Sequence, residues 1–122
     1  MFVVEIDTTK QLLVLSVTGD VTVEESRESV GRVREKLEEM EAGFVALVDF
    51  RWLERMAPAS APYVAEIMDA FAARKVSAVV RVMPDPHKDI GLNILSKFHY
   101  GPGVRLMTFE TLPDAIQALA RD

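Results

Sequence analysis

With 122 residues, 49% of them hydrophobic and 27% charged, the chain has the composition of one ordinary globular domain spanning 1–122. A balance of 14 basic against 19 acidic residues leaves a net charge of −5, a poor match for nucleic acid or an anionic membrane surface. Cysteine is absent, which excludes disulfides, thiolate metal sites and a Cys nucleophile.

The opening Met-Phe-Val-Val-Glu-Ile-Asp carries no basic leader, so a signal peptide is not expected. Apolar runs such as residues 44–48 fall far short of the ~20 residues a membrane span requires. A cytoplasmic protein is expected. Residues 2–6 alternate, with Phe2, Val4 and Ile6 on one face, and residues 12–18 form a second strand across the turn at 7–10. The two make an antiparallel hairpin that Gly19 and Asp20 end.

A helix follows. Thr22 and Glu25 have the spacing of a capping box, and Val23, Ser26, Val30, Val33, Leu37 and Met40 form its inward stripe. Residues 44–50 read as a central strand buried on both faces. After an irregular stretch, Tyr63, Val64, Ile67, Met68 and Phe71 mark a second helix through Arg74, and residues 76–82 a further strand. Asp85 and Pro86 suit the N-cap and N1 positions of a third helix carrying Ile90, Ile94, Leu95 and Phe98 inward. Residues 104–109 are the last strand. Thr111 caps a final helix with Leu112, Ile116 and Leu119 as its apolar stripe. The order β-β-α-β-α-β-α-β-α implies an α/β domain: a mixed, mostly parallel five-stranded sheet with one antiparallel edge strand and four helices.

In open α/β sheets, ligands gather outside the carboxyl ends of the strands. The most unusual such segment runs from Arg51 to Pro62 and holds the only Trp, two Arg, a Ser and two Pro ahead of a helix. Arg51 and Arg55 have the guanidinium forks that hold an anion, or else pair with local acids such as Glu54. Trp52 is either a partner anchor or a lid over the core edge. His87 lies between Asp85 and Asp89, but residues two apart do not share a helix face, so a solvated helix start is expected there and His87 stays only a candidate binding residue. His99 and Tyr100 before Gly101-Pro102-Gly103 read as a helix end. That Gly-Pro-Gly leads into a strand, whereas a phosphate loop opens a helix. No nucleophile elbow, HExxH pattern or triad is present. Neither an enzyme, a metal nor a cofactor is expected.

The element order, Thr18-Gly19-Asp20 and the segment Ala46-Leu-Val-Asp-Phe-Arg-Trp-Leu-Glu-Arg-Met56 resemble the STAS domain of bacterial anti-sigma factor antagonists, and more narrowly the STAS-like (SpoIIAA-like) group. The resemblance spans essentially the whole chain. It implies a non-catalytic regulatory module whose protein partner is an anti-sigma factor-like kinase or another regulator. In that family a serine of an Asp-Ser-Ser-Gly-like sequence at the next helix start is phosphorylated. The matching positions are Ala57, Pro58, Ala59 and Ser60, so the acceptor position is Ala59, which has no hydroxyl. Ser60 is then a displaced phosphoacceptor or simply a helix N-cap. The partner-binding residues so implied are Arg51, Trp52, Arg55, Ser60 and Tyr63. The alternative function is a small hydrophobic (lipid-like) or nucleotide ligand, with Met68, Phe71, Met83, Phe98 and Met107 lining a cavity or else packing the core. A homodimer that covers a sheet edge or helix face is a supplementary expectation.

Overall fold

Alternating side chains at the start of the chain build the first hairpin. The computed structural model describes residues 1–84 and 99–121, and in it β1 (Phe2–Asp7) pairs antiparallel with β2 (Leu12–Val17) in unbroken register. β2 then pairs parallel with β4 (Val45–Asp49), β4 with β6 (Ala78–Val82), and β6 with β7 (Arg105–Phe109). The result is a five-stranded mixed sheet in the order β1-β2-β4-β6-β7. Every residue of β6 is buried, which is why 78–82 reads as an unbroken apolar run apart from Arg81.

Helix α1 (Val23–Leu37) begins at Thr22, whose hydroxyl accepts from the Glu25 N–H at 3.1 Å. The Glu25 carboxylate, paired with the Met1 ammonium at 2.7 Å, also interacts with the Thr22 backbone and lies 3.4 Å from the Thr22 hydroxyl, in keeping with the expected capping box. Ser26, Val30, Val33 and Leu37 face inward, and Glu28–Arg32 make an i,i+4 pair on the outer face at 3.6 Å. Helix α2 (Ala61–Ala73) buries Val64, Ile67, Met68 and Phe71. Arg74 locks the two helices together by donating to the Met40 and Glu38 carbonyls, each at 3.1 Å, carbonyls that the end of α1 leaves unpaired.

The main core lies between one sheet face and α1 and α2. Within it Phe71 meets Phe44 edge-on at 6.2 Å and lies parallel to Tyr100 at 6.4 Å. A smaller core on the opposite face sits under α3 (Leu112–Arg121), which packs on β6 and β7 and buries Ala115. Thr111 accepts from the Asp114 N–H at 3.3 Å, as a cap should. Ile116, expected in the apolar stripe, is 51% exposed, because Ala115 is the residue that seats the helix on the sheet.

Two short strands depart from the expected order. β3 (Gly19–Val21) and β5 (Leu53–Met56) pair in parallel as a separate two-stranded sheet, where an ending hairpin and an irregular stretch were expected. A single 3-10 turn, Pro58–Ser60, joins β5 to α2. The helix expected from Asp85 onward, with Ile90, Ile94, Leu95, Phe98 and His87, lies outside the described residues, within which three α-helices are found.

Candidate functional site

The carboxyl end of β4 carries Asp49, which is buried but for a small edge. Its carboxylate accepts the Arg51 N–H at 2.9 Å and closes a fork with the guanidinium, Nε at 3.1 Å from both oxygens and Nη2 at 2.9 Å. This doubly bonded geometry raises the affinity of Arg51 for its proton and fixes the side chain. Thus held, the guanidinium carbon stands 5.5 Å from the centre of the Trp52 ring, a cation–π placement. Trp52 is 64% exposed, so it anchors nothing in the core and is not a lid over it.

The chain is turned by backbone bonds on both sides of this pair. Gly19 donates to the Trp52 carbonyl at 2.8 Å from a left-handed conformation, φ 74°, which a glycine adopts without strain. Ala57 donates to the Val21 carbonyl at 3.2 Å, closing the other end of the β3–β5 ladder. Leu53 points into the core, and Arg55 points out, where its Nη2 donates to Asp20 at 2.6 Å across the small sheet. The Arg55 guanidinium beside Asp20 holds that carboxyl below its usual range. Both arginines are therefore tied to acids, but to Asp49 and Asp20, and neither of these pairs was expected.

Ala59, the aligned acceptor position, is exposed, while Ser60 is fully buried. Ser60 occupies the N-cap position of α2 with helical angles, φ −76° and ψ −17°, and makes no capping bond. Its hydroxyl has no hydrogen-bond partner among the described residues. A side-chain cap needs extended N-cap angles that aim the oxygen at the first-turn N–H groups, and the preceding 3-10 turn removes them. Tyr63 is half-buried and packs against the main core. Arg51, Trp52 and Arg55 thus share the turn and strand of the small sheet, Ser60 and Tyr63 follow at the start of α2, and His87 lies outside the described residues.

Below this segment is a small cavity of about 30 Å³, lined among others by Phe50, Met56, Met68, Phe71, Arg81 and Tyr100. Arg81 is buried in mid-sheet and donates to the Thr108 hydroxyl at 2.7 Å and 3.1 Å. Burial pushes the Tyr100 phenol well above its usual range. Of the residues expected to line a ligand cavity, Met68 and Phe71 line this one, Met83 packs in the main core, Met107 packs in the core on the other sheet face, and Phe98 lies outside the described residues. His99, next to Tyr100, donates from Nδ1 to Asp69 at 2.6 Å, because a carboxylate can only accept, and so ties the chain to α2. Among the described residues no helix is long and apolar enough to cross a membrane.

No family model and no curated protein matches the sequence. Solved structures do. An uncharacterised protein of the DUF3478 family with a SpoIIAA-like fold from Shewanella loihica superposes with a TM-score of 0.71 at 17% identity, over 98% of this chain and 92% of that one. The Bacillus cell fate determinant SpoIIAA in its phosphorylated form gives 0.66 at 16% identity, over 98% and 99%. An anti-sigma factor antagonist from Mycobacterium paratuberculosis gives 0.63 at 19% identity, over 100% and 94%. At these identities the likeness is one of fold: the hairpin, the mixed five-stranded sheet and the helix pair α1–α2 over one face make up a SpoIIAA-like fold.

Proposed function

We propose that this domain is a non-catalytic, cytoplasmic regulatory module that binds a protein partner through residues 51–63 and the adjoining face of α2. The observation that carries this reading is Trp52, a large apolar ring 64% exposed on a turn held by the Asp49–Arg51 fork. Tryptophan and arginine are the residues most enriched among binding hot spots, and a fixed ring loses little freedom on binding. The structural neighbours include an anti-sigma factor antagonist and a phosphorylated SpoIIAA, which supports a protein partner of the anti-sigma factor-like kinase class or another regulator. The exposed alanine at 59 and the buried hydroxyl at 60 support a module whose binding is not switched by phosphate at this helix start. Ile116, exposed on α3, is the apolar residue a second copy would cover, and we include homodimerisation in the proposal.

A small-ligand function is the rival. The apolar cavity beside Met68, Phe71 and Tyr100 has a volume of about 30 Å³. Ligand pockets begin at roughly 300 Å³, and a volume this small suits about one water.

The test is affinity capture from the native host followed by native mass spectrometry, with Trp52→Ala as the control. A specific protein lost at least tenfold by Trp52→Ala, with melting unchanged, is the expected result. A discrete small-molecule adduct without a protein, or full capture by a Trp52→Ala variant that melts early, overturns it. The captured domain is expected to carry no phosphate on Ser60, whose hydroxyl is fully buried, and a phosphorylated Ser60 in its mass spectrum would overturn that part of the reading.

A further inference from the structure

Among the described residues β1 is the outermost strand of the five-stranded sheet, with β2 on one side and no strand on the other. Its first pair shows which way its backbone groups point. Thr18 N–H donates to the Met1 carbonyl at 2.9 Å, and the Met1 ammonium donates to the Thr18 carbonyl at 2.7 Å. Antiparallel ladders alternate, so the bonded positions continue at Val3, Glu5 and Asp7, and Phe2, Val4 and Ile6 turn their N–H and C=O groups outward. Arg32 agrees with this direction, reaching from α1 to donate to the Phe2 carbonyl at 3.2 Å. The outward groups of Val4 and Ile6 have no partner among the described residues. A groove of about 380 Å³ runs along this edge, lined by Phe2, Val3, Val4, Arg32, Glu35 and Lys36.

Exposed edges are normally blunted by shortness, proline or a bulge. This one is 6 residues long, has no proline, and keeps its register throughout. A second copy fits it poorly. Pairing Val4 with Ile6 of another copy sets Glu5 against Glu5, and pairing Ile6 with Ile6 sets Glu5 against Asp7, like charges at the closest cross-strand distance. Pairing Val4 with Val4 needs the Phe2 carbonyl, which Arg32 already occupies.

We propose that the β1 edge is a strand-addition site for an extended segment of a partner protein in which apolar and basic residues alternate. The two faces of β1 assign the alternation. Phe2, Val4 and Ile6 lie on the core face beside α1, where the apolar side chains of Phe2 and Val4 favour an apolar residue and Arg32 and Lys36 outnumber the single acid Glu35 at the groove, so that a basic residue is disfavoured there. Val3, Glu5 and Asp7 lie on the other face, where two carboxylates oppose basic side chains. Main-chain bonds to Val4 and Ile6 supply the attachment and the alternating pockets the selection. The net charge of −5 draws a cationic segment in. This site is separate from Trp52, and each stands without the other.

The probes are two capped heptapeptides, one alternating valine with lysine and the other alternating valine with glutamate, titrated into isotope-labelled protein and followed by amide NMR. The valine–lysine peptide is expected to shift the Phe2, Val4 and Ile6 amides and to bind about tenfold more tightly than its glutamate counterpart, from charge pairs that attract in one case and repel in the other. Glu5→Lys should remove or reverse that preference. Val4→Pro should abolish binding, since proline is tolerated at an outward edge position but lacks the donor. A peptide N-methylated along its bonding edge makes the same test on the unmodified protein should Val4→Pro fail to fold. Equal affinities for the two peptides, undiminished binding of the N-methylated peptide, shifts centred on α2, or a peptide-free dimer that protects the Val4 and Ile6 amides would each overturn the assignment.

Discussion

Serine at a helix start ordinarily stabilises, and replacing a working N-cap serine by alanine costs about 1 kcal/mol. Ser60 should behave in the opposite sense. Its hydroxyl is fully buried and unpartnered among the described residues, and its backbone has helical rather than capping angles. An unsatisfied buried hydroxyl costs about 1–3 kcal/mol relative to water. Alanine removes that penalty and gains up to about 0.5 kcal/mol of helix propensity, against the loss of a few dispersion contacts of ~0.1–0.2 kcal/mol each. The expected net change for Ser60→Ala is a gain of about 1 kcal/mol. With a urea slope of about 2 kcal/mol/M the midpoint should rise by about 0.5 M. The melting temperature should rise by about 3–5 °C. Parallel urea and thermal unfolding followed by circular dichroism, with unchanged urea slope, is the assay. A loss of about 1 kcal/mol instead would show that the hydroxyl is bonded and would refute the reasoning.

Phe71→Ala, which empties a fully buried site between the Phe44 and Tyr100 rings, should cost about 3–5 kcal/mol by denaturant unfolding, and a cost below 1 would mean the ring stack contributes little. Tyr100, whose phenol burial raises, should ionise only as the fold opens: its stabilising contribution is complete below about pH 10 and is lost as pH rises beyond it, so absorbance near 295 nm and circular dichroism should change together for this residue. Asp20, held low by Arg55, contributes stability above its ordinary range that is lost as pH falls through its depressed value. Its NMR titration should move up in Arg55→Ala, and an unmoved titration would remove the pair from the account. Trp52, the single tryptophan, should emit like an exposed indole and be quenched freely by acrylamide, and a protected, blue-shifted emission would contradict its position.

The main sheet was legible because its signals are local. Phe2, Val4 and Ile6 alternate within one strand, and the run at 78–82 announces a strand buried on both faces. Thr22 and Thr111 each lie within three residues of the N–H groups they cap. The small sheet was not legible, since β3 is three residues long, begins with glycine and has no period to read; its partner lies more than thirty residues away. The same distance hid Asp20 from Arg55, 35 positions on. Asp49 was close enough to see, two residues before Arg51, but a strand-end aspartate within an apolar run reads as the strand's end and not as an anchor. Ser60 failed for a conformational reason: the 3-10 turn ahead of α2 leaves no trace in side-chain pattern beyond Pro58. Ile116 failed because the period of a ten-residue helix does not say which of two adjacent residues, Ala115 or Ile116, meets the sheet.

The parallel ladder between β3 and β5 bears on how a partner would be met. Residues 51–57 form a loop in the connectivity of the main sheet, yet Gly19 and Val21 hold both ends of the segment by backbone bonds at 2.8 Å and 3.2 Å. A loop so fastened has already surrendered its conformational entropy during folding, so little ordering remains to oppose association. Recognition on that surface is then close to rigid docking, and changes to the contacting side chains should appear mainly in how long a complex lasts and far less in how fast it forms.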